Sequence, residues 1–167
     1  ATGWVVPTDA SGLATALALA RHGLPSRILE RRDAFAEEGA GIQIGPHGMR
    51  VLRGLGVDDT LHANASEPDS LAVMNARSGL ELSSMPLGTW IANRHGAPYL
   101  TAHRQDLHSA LLHRAQSDPL ITINQNTEVI DALTDRDGIN AQLGNGATIS
   151  GAALIGADGL WSALRTK

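Results

Sequence analysis

The stretch WVVPTDASGLATALALARHGLPSRILE, residues 4–30, decides how this chain folds. It opens on a short apolar run, Trp4-Val5-Val6, followed by Pro7-Thr8-Asp9-Ala10-Ser11-Gly12. Residues 13–22, LATALALARH, are rich in strong helix formers. Gly23 stands where such a helix stops, and Pro25 lies just beyond it. Arg27-Ile28-Leu29 then reads as a short strand ending in Glu30. Strand, turn, helix and strand within so short a span make a βαβ unit, whose two strands run parallel.

The turn of such a unit is where dinucleotides bind. In G-x-G-x-x-G the first glycine makes the tight turn, the second lets a pyrophosphate approach the backbone, and the third lets helix and strand pack. Aligned on Gly12, the turn here keeps only the third glycine. Asp9 puts a carboxylate where phosphate would lie, beside a helix N-terminus that attracts anions. Glu30 lies 18 residues beyond Gly12, where an acid can accept ribose hydroxyl hydrogen bonds. The residues leave two readings open: a nucleotide site, or a βαβ unit whose second strand ends in a surface acid.

Outward from this unit, EEGAGIQI at 37–44 is glycine-rich and then extended. Pro46 opens a helix to residue 55, with Gly56 as its stop. Residues 70–75 and 80–84 form a hairpin around Ala76-Arg77-Ser78-Gly79. Residues 85–98 read as irregular, and 99–101 as extended. Residues 104–116 form an amphipathic helix with Leu107, Ala110, Leu111 and Ala115 on one face. Strands follow at 121–124, 128–133, 139–143 and 148–149, with turns at Asp135-Arg136-Asp137-Gly138 and Gly144-Asn145-Gly146. A buried strand at 153–155 leads into Gly156-Ala157-Asp158-Gly159 and a short helix to Arg165. The fold class is α/β, a Rossmann-like domain with a partly parallel sheet plus hairpin elements.

Composition excludes several functions. The 167 residues suit one domain, or one and part of another. Charged residues are 18%, below the usual share of about 25%, and 18 glycines accompany them, which suggests buried strands and tight turns. With no cysteine there is no disulfide framework, thiolate zinc site or cysteine nucleophile. A net charge of −4 and a pI near 5.9, with scattered arginines, give no footprint for nucleic acid. No apolar run reaches the ~18 residues of a membrane span, and no signal-peptide pattern opens the chain. A soluble cytoplasmic protein is expected.

Three further places bear on chemistry. Asp158, beside glycines at the end of a buried strand, sits where open α/β sheets bind ligands, and Arg165 can pair with it or with a phosphate. The rival reading is a helix cap with a surface arginine. Arg104 begins a helix, a poor place for a cation unless an anion needs it; the rival reading is an exposed or Asp-paired arginine. His47 follows GAGIQIGP in a loop entering a helix, where ligand contacts concentrate, although a lone histidine is commonly structural. No metal site is expected, because His103, His108 and His113 are spaced by five and diverge around a helix. No G-x-S-x-G is present.

The segments SGLATALALARHG, ILERRDAFAEEGAGIQIGPHGMRVLRGLGV, PYLTAHRQDLHSALL and ALIGADGLWSALR, in this order, resemble the group A flavin-dependent aromatic hydroxylases. The last carries that family's GADGxxSxxR pattern. The resemblance implies FAD as cofactor, NADH or NADPH as electron donor, O2 and a small aromatic substrate such as a hydroxybenzoate, with room for a homodimer. It implies that Glu30 binds the adenosine ribose and Arg104 the flavin's phosphate or ribityl part. It gives Asp158 and Arg165 to the motif serving FAD and the nicotinamide, and leaves Gly12 its helix-packing role. Gln43 and His47 would lie near the isoalloxazine and substrate, with His47 catalytic, and Arg31 and Val129 complete the cofactor-binding set. Members of the family are more than twice this length. The chain is therefore expected to be an N-terminal FAD-binding part, 1–167, with 70–100 beginning the substrate region. A remnant that keeps the fold and has lost FAD is the alternative.

Overall fold

The computed structural model describes residues 4–6, 9–33 and 40–157. In chain order the elements are β1 (Trp4–Val6), α1 (Ala10–Arg21), β2 (Ser26–Leu29), β3 (Gly41–Ile44), α2 (Pro46–Leu55) and α3 (Asp58–His62). Then come β4 (Ser70–Met74), β5 (Glu81–Pro86), α4 (Gly88–His95), β6 (Leu100–His103) and α5 (Arg104–Gln116). Strands β7 (Ile121–Asn124), β8 (Val129–Thr134), β9 (Ile139–Leu143), β10 (Thr148–Gly151) and β11 (Ala153–Leu154) close the described chain. The chain divides into two units, residues 1–37 with 108–167, and residues 38–107.

In the first unit the expected parallel pair is present. β1 and β2 run parallel with Val6 opposite Ile28, and β2 and β7 run parallel with Ile28 opposite Ile123. β11 adds to the other side of β1, for the order β11-β1-β2-β7. α1 lies against β1, β2 and β7 and buries Gly12, Leu13, Ala16 and Leu17. It begins at Ala10 rather than Leu13, because Asp9 caps it, and Gly23 follows its end with φ +72°. The strands β8, β9 and β10 form an antiparallel sheet, and Leu143 of β9 packs with Leu29 of β2 and with Val129, Ile149 and Leu154.

In the second unit β3 and β6 pair antiparallel, and β4 and β5 form the expected hairpin. α2 starts at Pro46 and stops at Gly56, whose φ of 73° is left-handed. Gly48 permits the close approach of α2 to β3: a Cβ there would come within 3.0 Å of Ile44 Cγ2. Residues 85–98 depart from expectation, since they carry the end of β5 and the helix α4. Pro86 and Gly88 read locally as breakers, but Leu87 and Ile91, four residues apart, are both buried. Gly96 ends the helix at φ 71°. Two arginines of α2 then take its last carbonyls: Arg50 Nη1 donates to His95 O at 2.8 Å and Arg53 Nη1 to Gly96 O at 3.3 Å. α3 is a further short helix that local pattern did not announce. Every residue of β4 and β5 is exposed.

Ile28 has no exposed surface and lies in an inner strand of the parallel sheet. Ile28→Ala is expected to cost about 2–5 kcal/mol, seen as a lower urea midpoint. Thr122→Ala, on an exposed position of the neighbouring strand, should move the midpoint by less than about 0.5 kcal/mol equivalent.

Candidate functional site

Parallel pairing gathers the carboxyl ends of β1, β2, β7 and β11 on one edge of the sheet. The turn into α1, Glu30, Gln125 and Ile155-Gly156-Ala157 follow those four strand ends. Open α/β sheets bind ligands at such an edge.

Glu30 is the residue directly after β2 and is half-buried. Its backbone is held from both sides. Its N–H donates to Asn124 O at 2.9 Å, and its carbonyl accepts from Thr127 N at 2.7 Å. The turn after β7 closes on it through Asn126, whose N–H donates to Arg32 O at 3.1 Å and whose φ is 53°. Glu30 Oε1 accepts from Arg32 N at 2.8 Å. The carboxylate is thus oriented by its own chain at the sheet edge. Arg31, next to it, is exposed. Val129 is half-buried against Leu29 and Leu143, so its side chain serves the core of this unit.

At the turn into α1, Asp9 is extended, with φ −67° and ψ 173°, and caps the helix. Its Oδ1 accepts the Gly12 N–H at 2.7 Å, and its carbonyl accepts from Leu13 N at 2.9 Å. Gly12 is buried, in keeping with a packing role. The local signal for this cap was an Asp three residues ahead of Gly12. The same residues also align with a phosphate-binding turn, which masks that signal. Asp158 and Arg165 lie outside the described residues, as does Pro7.

The remaining candidates belong to the second unit. Gln43 on β3 is exposed, and its Oε1 accepts from the Tyr99 hydroxyl at 2.8 Å. Local sequence did not announce this bond, because the two residues are joined only through the pairing of β3 with β6. His47 is exposed in the first turn of α2, and its ring folds back over Gly45. The N-cap of α2 is Gly45, without a side-chain capping bond, so His47 does not cap this helix. Arg104 is exposed at the start of α5, and its N–H donates to Ala40 O at 3.4 Å. Among the described residues, no carboxylate is paired with its guanidinium. Among the same residues, no three His, Asp or Glu side chains are grouped to hold a metal ion, and no helix is long and apolar enough to cross a membrane.

For a dinucleotide the donor set divides. Glu30, fixed at the end of β2, fits a ribose diol. The α1 N-terminus fits a pyrophosphate in direction and charge, but Asp9 already takes the Gly12 N–H.

A parallel βαβ unit with an acid at the end of its second strand is the arrangement that dinucleotide-binding domains use. The chain belongs to the FAD binding domain family, whose model matches residues 4–167. It is 37% identical over 156 residues to 3-hydroxybenzoate 6-hydroxylase 1 of Aquipseudomonas alcaligenes, covering 93% of this chain and 40% of the relative. It is 36% identical over 161 residues to 6-hydroxynicotinate 3-monooxygenase of Bordetella bronchiseptica, covering 96% and 41%. Among solved structures it matches the tetrameric form of 2-methyl-3-hydroxypyridine-5-carboxylic acid oxygenase with a TM-score of 0.83 at 27% identity, over 99% of this chain and 41% of that one. It matches Klebsiella pneumoniae HpxO, complexed with FAD and uric acid, with a TM-score of 0.83 at 25% identity, over 98% and 41%. The chain spans about two fifths of the length of these relatives. The resemblance read from the sequence holds at the level of the family.

Asp9→Ala removes the α1 cap and should cost about 0.5–2 kcal/mol, measured as a lower unfolding midpoint. Asp9→Asn, which keeps an acceptor for Gly12 N–H, should lose far less.

Proposed function

We propose that this chain is the FAD-binding part of a flavin-dependent monooxygenase that hydroxylates a small aromatic ring carrying hydroxyl and carboxylate groups, a hydroxybenzoate in the first instance. The observation that carries the reading is Glu30, held at the carboxyl end of β2 in a parallel βαβ unit, within a chain that matches the FAD binding domain family from residue 4 to 167. The names of the relatives, among them hydroxylases of 3-hydroxybenzoate and a monooxygenase of 6-hydroxynicotinate, support the substrate class.

In this reading FAD, when bound, takes electrons from NADH or NADPH and activates O2 for ring hydroxylation. The protein's own residues bind and orient. Glu30 accepts hydrogen bonds from the adenosine ribose. Arg31 flanks that end, Val129 offers it its backbone while its side chain packs inward, and Gly12 keeps α1 close to the sheet. Arg104 offsets phosphate charge, and Asp158 and Arg165 serve FAD and the nicotinamide. Gln43 lies toward the isoalloxazine. His47, exposed at the start of α2, takes the phenol proton on a ring nitrogen, since a phenolate ring is the better nucleophile. The hairpin of β4 and β5 begins the substrate region. Its exposed Leu71, Val73 and Met85 support that role, because a further sheet or domain would cover them. Self-association belongs to the same reading, with a homodimer as the simplest form.

A second reading, a domain that keeps the fold and has lost FAD, is favoured by the Asp9 carboxylate on Gly12 N–H. Purification separates the two. The full-length protein should be yellow and release FAD on denaturation, whereas a colourless protein that takes up no added FAD is the remnant. In the full-length enzyme, His47→Asn should retain FAD and lower hydroxylation by about 10²-fold, with more NADH or NADPH consumed to peroxide. Hydroxylation at the parent rate with tight coupling would remove His47 from catalysis.

A further inference from the structure

The second glycine of a dinucleotide turn is small so that a diphosphate can reach the backbone. In this chain that position is Asp9, and its side chain turns onto the helix end. Oδ1 sits 2.7 Å from Gly12 N, the distance of a strong charge-assisted hydrogen bond. Asp9 is half-buried, and its carbonyl accepts the first hydrogen bond of the helix from Leu13 N. The α1 N-terminus therefore already has its anion, supplied by the protein. α2, by contrast, has glycine at its cap and no side-chain bond there.

An incoming diphosphate meets two obstacles at this turn. A first-turn N–H is taken, and the Asp9 carboxylate stands at the same helix end. An anion bound at that end would feel this carboxylate, since the screening length at physiological salt is about 8 Å. Neither obstacle concerns the ribose, whose acid, Glu30, stands at the end of the next strand.

We propose that Asp9 is an internal competitor for the flavin's pyrophosphate: the diphosphate enters only as the Asp9 carboxylate leaves Gly12 N–H. The proposal rests on the FAD reading above and adds that this chain holds FAD through the ribose against a phosphate-repelling turn. FAD affinity is accordingly set by Asp9, and the helix end is satisfied in the absence of flavin.

The test is a titration of the full-length apoprotein with FAD, ADP and adenosine, followed by flavin fluorescence and by calorimetry. Asp9→Asn removes the charge and keeps an oxygen for Gly12 N–H, so the cap and the fold persist. Asp9→Gly removes both charge and acceptor and is the second variant. Asp9→Asn should tighten FAD and ADP by about tenfold and leave adenosine within about twofold. Asp9→Gly should tighten them at least as much. Unchanged or weaker FAD and ADP binding in both variants, with the parent still binding FAD, would overturn the competitor role and leave the FAD reading standing. Adenosine tightening as much as ADP would overturn it too, because the effect would then not be at the phosphates. No FAD binding in the parent or either variant would overturn the competitor role and the FAD reading together.

Discussion

Parallel pairing of β1 with β2 obliges the chain to travel back along the full length of the sheet between them, and α1 is that return. The helix can lie flat on the sheet because its inward face is small and aliphatic, with Gly12, Leu13, Ala16 and Leu17 buried. Once β1 and β2 are parallel, every strand that joins them in the same sense ends on the same edge. β7 and β11 do so, and the edge then collects Asp9, Glu30 and the segment leading to Asp158. The chemistry of the first unit descends from that one geometric constraint.

Asp9 shows how stability and binding compete at this edge. A helix N-terminus carries unpaired N–H groups and a partial positive charge, and either a side chain or a ligand can meet them. A carboxylate at the cap serves the fold at all times, whereas a phosphate serves it only when bound. This chain carries the permanent solution at a place where its family match points to a ligand. Glu30 carries no such conflict. Its bond to Arg32 N orients the carboxylate on a backbone already fixed by Asn124 and Thr127.

The second unit is built differently. Its helix α4 buries little, with Ile91 its buried residue, and it draws support from the two α2 arginines that donate to its C-terminal carbonyls. Positive side chains at the negative end of a helix stabilise it through both hydrogen bonding and the dipole. The hairpin of β4 and β5 stands in contrast, with Leu71, Val73, Leu80 and Leu82 exposed. A two-stranded hairpin gains its stability from a face it can cover, and among the described residues this one covers none.

The sequence by itself determined the parts governed by near neighbours. The glycine after α1, Pro46 and Gly56 around α2, the run of apolar positions in α5 and the turn of the β4–β5 hairpin all act within a few residues, so they could be read directly. The βαβ unit and the acid at its end followed from the same local signals. Tertiary structure alone decided what depends on distant residues. It seated β7 beside β2 and β11 beside β1, joined Tyr99 to Gln43, turned Val129 into the core, and made a helix of 88–95 by lending it two arginines from α2. It also gave Asp9 its capping role, because only the path of the backbone shows which N–H the carboxylate reaches.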